Sequence, residues 1–136
     1  MYKLTKSLGQ NFLVNKGIKG LMVESLQVKP NDVVVEIGAG TGALTEILLS
    51  QVNIMDTEFF IVEYDSRFIN DLKNLCSSKS NFKIINQNIL DWLPVFTPDK
   101  KFKIIGSLPY YITSPILHKI IKHVGEITTC VFLIQK

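Results

Sequence analysis

Along this chain, short runs of β-branched and aromatic residues alternate with stretches in which apolar residues return at helical spacing. Residues 32–37 (DVVVEI) read as a strand that stops at a glycine cluster, and 41–50 (TGALTEILLS) set Leu44, Ile47 and Leu48 on one helical face behind a Thr41 cap. The unit then recurs. Residues 57–63 (TEFFIVE) predict a second strand, and 66–76 (SRFINDLKNLC) carry Phe68, Ile69, Leu72 and Leu75 on one face of a helix. A third strand is predicted at 82–86, a fourth at 102–107 and a fifth at 128–134, with a helix near 113–124 whose start is marked by Thr113, Ser114 and Pro115. Ahead of the first strand, residues 15–28 predict a helix whose propensity Gly17 and Gly20 reduce. This alternation implies an α/β fold with a mostly parallel sheet and right-handed crossovers. Ligands of such sheets bind beyond the carboxyl ends of the strands, where strand order reverses, so chemistry-bearing residues are expected just after strands.

Length and composition narrow this to one domain over residues 1–136. A chain of 136 residues with 46% hydrophobic and 20% charged residues is too short for two domains and too apolar for intrinsic disorder. The net charge of +3 is unevenly spread: residues 1–30 hold Lys3, Lys6, Lys16, Lys19 and Lys29 against Glu24, a local +4, whereas 31–136 carry −1. Such an excess suits a polyanion, and lysines on the solvent face of an amphipathic helix explain it equally well. Cys76 and Cys130 stand far apart without metal-ligand spacing, and His118 and His123 lie on one helix at the wrong interval, so neither a metal site nor a disulfide is expected. No apolar signal segment opens the chain and no run approaches a membrane span, which predicts a cytoplasmic protein.

The residues after each predicted strand carry the chemistry. After the first comes Gly38-Ala39-Gly40-Thr41-Gly42-Ala43, where glycines let the backbone turn sharply and a ligand approach main-chain atoms, with helix N–H groups behind them. Glu63, about twenty residues on at the end of the second strand, is placed to accept ribose hydroxyls. This pair signals nucleoside binding and fits a dinucleotide oxidoreductase as well as other nucleoside ligands, because Gly38-x-Gly40-x-x-Ala43 also satisfies the dinucleotide pattern. After the third strand, the amide of Asn88 could read an adenine edge or simply form a turn. After the fourth stand Ser107, Leu108, Pro109 and Tyr110. This tetrapeptide has the pattern of amino-directed nucleic-acid methyltransferases: an acceptor side chain and the Leu108 carbonyl favour a pyramidal, nucleophilic base amine, Pro109 fixes the backbone, and Tyr110 offers a ring for a flipped base.

Taken in order, KSLGQNFL (6–13), EIGAGTGALT, IVEYD (61–65), QNIL (87–90), SLPYYITSPIL (107–117) and the terminal FLIQK closely resemble the small-subunit ribosomal RNA adenine N6-dimethyltransferases, with erythromycin-resistance rRNA methylases as secondary relatives. The resemblance covers essentially the whole chain. It implies a Rossmann-like class I S-adenosylmethionine-dependent methyltransferase fold, with S-adenosylmethionine as cofactor and two adjacent adenines of small-subunit rRNA as substrate during ribosome assembly. By the same resemblance, Asn11 and Leu13 would contact the cofactor, with Gly38 and Gly40 in its loop, Glu63 on its ribose and Asn88 at its adenine. Ser107 would bridge cofactor and target amine, and Tyr110 would stack on the target base. Two positions depart from the family pattern, which has Asp at 88 and Asn at 107. Weakened cofactor binding and slower chemistry are expected, and a non-catalytic rRNA-binding assembly factor is the alternative reading. The family continues beyond a fifth strand, so the sheet is expected to be truncated there. Complete members are monomers; here residues 128–134 would form an apolar edge through which the chain would self-associate.

Overall fold

The first strand, β1 (Val33–Ile37), is buried at every position, as a strand must be when helices cover both faces of its sheet. The period of two sends its side chains to two separate cores. Val34 packs with Met22, Leu26, Leu44, Leu48, Phe68 and Leu72, whereas Val33, Val35 and Ile37 pack with Trp92, Leu93, Ile116 and Ile120. Each fully buried side chain of this kind contributes about 1.5–3 kcal/mol. The structure, a computed structural model, describes residues 16–51 and 56–135.

The first core lies under α1 (Lys16–Leu26), α2 (Ala43–Gln51) and α3 (Ile69–Leu75). The second lies under α4 (Ile89–Trp92) and α5 (Tyr110–Ile121). Between them run β1, β2 (Glu58–Val62), β3 (Phe82–Ile85), β4 (Phe102–Pro109) and β5 (Ile127–Gln135), all parallel, in the order β3-β2-β1-β4-β5. From β1 the chain builds outward through β2 to β3 and then returns to the other side of β1 as β4. The strand order therefore reverses between β1 and β4, whose ends are aligned by the pairing of Ile37 with Gly106. The α/β parallel architecture expected from the periodicity is present, and among the described residues β3 and β5 are the edge strands, β5 with a half-exposed surface.

Four local expectations are corrected. The helix predicted near 113 begins instead at Tyr110, because Pro109 ends β4 in an extended conformation and the chain turns directly into the helix. Thr113 then bonds its hydroxyl back to the Pro109 carbonyl (3.0 Å), and Pro115 lies inside α5 rather than at its start. Ser107, Leu108 and Pro109 consequently belong to the end of β4 and do not follow it. Thr41 is exposed and does not cap α2. Gly42 holds that place, its carbonyl accepting from Glu46 N–H (2.8 Å), with φ +91° and with Leu75 and Leu72 occupying the space a Cβ would need. Finally, α1 stops at Leu26 rather than 28: Gln27 takes a left-handed φ of +51°, and Lys103 from β4 donates to its carbonyl (2.7 Å) while pairing with Asp32 (2.9 Å). A cation at a helix carboxyl end complements its dipole. The short α4 is an element that the periodicity did not predict. Trp92 and Phe96 stack on one another (4.3 Å) beneath Phe60 and Phe102.

Candidate functional site

At the carboxyl ends of β1, β2, β3 and β4 a cleft of about 280 Å³ opens, close to the lower bound of roughly 300 Å³ for small-molecule sites. It is lined by Gly38 and Gly40 after β1, Glu63 after β2, Asn88 after β3, and Ser107, Leu108 and Pro109 at the end of β4. The expected residues from four separate strands thus meet in one place. Asn11 and Leu13 lie outside the described residues.

Gly38 joins the glycine loop to the β4 end. Its φ of +70° is one an L side chain rarely adopts, and a Cβ there would lie 3.4 Å from the Ser107 carbonyl oxygen. The left-handed turn at Gly38 thus runs beside the Ser107 main chain, next to the SLPY segment. Glu63 secures the loop from the other side. Gly40 N–H donates to its Oε1 (2.6 Å) and Asp65 N–H to its Oε2 (2.7 Å), so the carboxylate is oriented before any ligand arrives. Burial pushes its pKa up, and these backbone donors pull it down. Tyr64 N–H adds a third backbone donor, which leaves part of the carboxylate's four-lone-pair capacity for a ribose hydroxyl.

Asn88 takes the turn role that was open beside adenine reading. Its side-chain oxygen accepts from Leu90 N–H (2.9 Å) and caps α4, the usual capping function of asparagine. It also lines the cleft. Asn86 crosses instead to the second strand's exit, donating to the carbonyls of Glu63 (3.0 Å) and Tyr64 (3.2 Å). Asp65 forms an ion pair with Arg67 (2.7 Å) and shapes the turn after β2. Leu108 is buried in the second core, and Tyr110 is 65% exposed and outside the cleft lining. Tyr111, 46% exposed, lines the cleft and meets the Tyr110 ring edge-on at 5.9 Å.

Three residues were not singled out as site candidates by sequence reasoning. Glu36 shares the Val34 face of β1 and is buried under α1 and α2, where Thr45 Oγ1 donates to its Oε1 (2.6 Å). A lone acid inside VVVEI was the available signal. Lys19, counted among the basic surface lysines, is buried and lines the cleft. Its interval from Met22, Val23 and Leu26 marks the inner face of α1 and could have shown this. The solvent-face explanation of the basic segment therefore fails at Lys19, and the exposed Lys29 lies beyond the end of α1. Gly106 had no visible motif; it faces the Ile37 carbonyl at a distance only a hydrogen can occupy.

Burial is the main cause that pushes the Glu36 pKa from its ordinary 4.5 to about 7. Below 4.5 the group is protonated in both folded and unfolded chains. Between 4.5 and 7 the unfolded chain ionises while the folded one retains its proton, so the stabilisation is lost as pH rises and levels off above 7. At about 1.4 kcal/mol per pH unit the full loss is about 3 kcal/mol. Subtracting the urea-denaturation stabilities of Glu36→Gln, which retains an acceptor for Thr45, from those of the wild type between pH 4 and 8 should isolate this slope. A flat difference would show that Glu36 ionises normally.

A parallel sheet of this order, with a glycine loop after its central strand and an acid ending the next, defines a Rossmann-like domain, and the solved structures it matches make it one of the class I methyltransferase type. The solved structure of the 23S rRNA methyltransferase ErmE matches it with a TM-score of 0.76 at 26% identity, over 92% of this chain and 48% of that one. A dimethyladenosine transferase from Plasmodium falciparum matches with a TM-score of 0.76 at 29% identity, over 93% of this chain and 44% of that one. More specifically, the chain belongs to the ribosomal RNA adenine dimethylase family, whose sequence model matches residues 1–136. It is 41% identical over 133 residues to the ribosomal RNA small subunit methyltransferase A of Malacoplasma penetrans (strain HF-2), covering 97% of this chain and 46% of that protein. The protein of the same name from Francisella tularensis subsp. tularensis (strain WY96-3418) is 41% identical over 137 residues, covering 98% of this chain and 51% of its own. The chain thus spans about half the length of the curated relatives it matches. The expected family and fold class stand, and the glycine pattern that left a dinucleotide open lies in a methyltransferase fold.

Proposed function

We propose that this chain is the cofactor-binding part of an S-adenosylmethionine-dependent rRNA adenine N6-dimethyltransferase, acting in the cytoplasm on two adjacent adenines of small-subunit rRNA. The supporting observation is the single cleft that the nucleoside-binding loop, Gly38, Gly40 and Glu63, lines together with the amine-activating segment, Ser107, Leu108 and Pro109. The residues present fit the cofactor: Glu63 is pre-oriented for a ribose, Gly38 supplies the left-handed turn of the loop, and Asn88 lines the same cleft, where it would face the adenine. Bound there, the cofactor supplies a methyl group on a sulfonium sulfur. Ser107 and the Leu108 carbonyl would accept hydrogen bonds from the target amine, Tyr111 inside the cleft and Tyr110 at its rim would offer rings to the base, and positioning would supply the rate.

A specific observation favours the second reading, a non-catalytic rRNA-binding factor: the Asn88 oxygen is already committed to capping α4. The apolar, half-exposed β5 edge is where a further strand or a second copy would pair. Calorimetric titration of S-adenosylmethionine into the chain, with rRNA binding measured beside it, separates the two. Cofactor binding that Glu63→Ala abolishes supports the enzyme. Salt-sensitive rRNA binding without cofactor binding supports the assembly factor, and neither would sink both.

A further inference from the structure

The cofactor reading leaves Lys19 without a role. It shares a face of α1 with the buried Met22, Val23 and Leu26, a position where packing alone would call for an apolar residue. A lysine only 6% exposed stands there instead. Desolvation pushes its pKa down while the charge of Glu36 pushes it up. Among the described residues it is the one cation lining the cleft, where the acids are Glu36, Glu63 and Asp65. Two of those acids are already engaged: Glu63 by backbone N–H groups and Asp65 by Arg67. Glu36 and Lys19 feel each other's charge, yet among the described residues they form no direct ion pair. One buried cation and one buried acid therefore face the same cleft without cancelling by contact, which is costly unless something charged completes them.

We infer that Lys19 binds the α-carboxylate of the ligand's amino-acid end, with Glu36 facing its α-ammonium, so that the cleft selects nucleosides bearing an intact α-amino acid. This rests on the cofactor reading, because S-adenosylmethionine carries that zwitterion. Decarboxylated S-adenosylmethionine lacks only the carboxylate, and 5′-methylthioadenosine lacks the whole amino acid. The cleft's three acids, by themselves, favour the decarboxylated form, which carries one more net positive charge. A Lys19 that served only as a counter-charge for Glu36 would not reverse that preference.

Calorimetric titration of all three compounds into the wild-type chain, K19M and K19R tests the assignment. The wild type should bind S-adenosylmethionine about 10- to 100-fold more tightly than its decarboxylated form, the range expected of one charge-assisted contact. K19M should lose that preference while binding 5′-methylthioadenosine like the wild type, and K19R should restore most of it. A K19M protein that keeps the wild-type ratio overturns the role of Lys19 and leaves the cofactor reading standing. A wild type that binds none of the three overturns both. If K19M does not fold, the wild-type ratio decides alone, and equal affinity for the two sulfonium compounds overturns the inference.

Discussion

Replacing Glu63 with alanine is expected to destabilise the domain by about 2–4 kcal/mol and to weaken S-adenosylmethionine binding about 100-fold or more. Both effects come from one carboxylate. Removing it strips the acceptors from the N–H groups of Gly40 and Asp65, both of which belong to buried residues. Part of that cost is offset, because the burial that raises the Glu63 pKa also makes its charge expensive to keep. Glutamine is no simple rescue: its amide oxygen can satisfy one N–H while its NH2 faces the other. Urea denaturation at constant m-value reads the stability change, and calorimetry reads the affinity. A variant that loses stability but keeps full affinity would place Glu63 in the loop architecture alone and remove it from ribose recognition.

Gly106→Ala should cost about 2–3 kcal/mol, although it adds a single methyl to a strand. The new Cβ would stand 2.8 Å from the Ile37 carbonyl oxygen and 3.2 Å from the Ile37 Cβ. Those atoms belong to β1, which is clamped between β2 and β4, so neither can move aside without parting the central strands. The consequence reaches the site, since Ile37 and Gly106 immediately precede Gly38 and Ser107. Cofactor affinity should therefore fall together with stability. Gly125→Ala is the matched control, because nothing lies within 4 Å of its added methyl; it should change stability by less than about 0.5 kcal/mol. Equal midpoints for the two variants in chemical denaturation would refute the close approach of β1 and β4.

The sequence carried the class of fold and most of the cleft because both rest on local patterns. β-branched runs ending in glycine, acid or SLPY place those residues at strand ends, and a parallel sheet gathers strand ends on one side. Glu63, Gly38, Asn88 and Ser107 were accordingly legible as candidates before their places in the cleft lining were known. Boundaries set by competition between neighbours were not legible. Whether Pro109 closes a strand or Pro115 opens a helix depends on how far β4 pairs with β5, and that pairing continues to Pro109 opposite Gln135. The split of Tyr110 and Tyr111 between rim and cleft follows from that same starting point of α5.

What the sequence determined by itself was periodicity, turn chemistry and family membership, each a property of residues close in the chain or of motif order. Only the tertiary structure decided the electrostatics inside the cleft. Lys19 on α1, Glu36 on β1, Thr45 on α2 and Glu63 after β2 come from four different elements. In sequence Lys19 is one more lysine in a basic segment. Folded, it loses its water and faces an acid, and loss of water is a property of three-dimensional packing that no charge count along the chain contains.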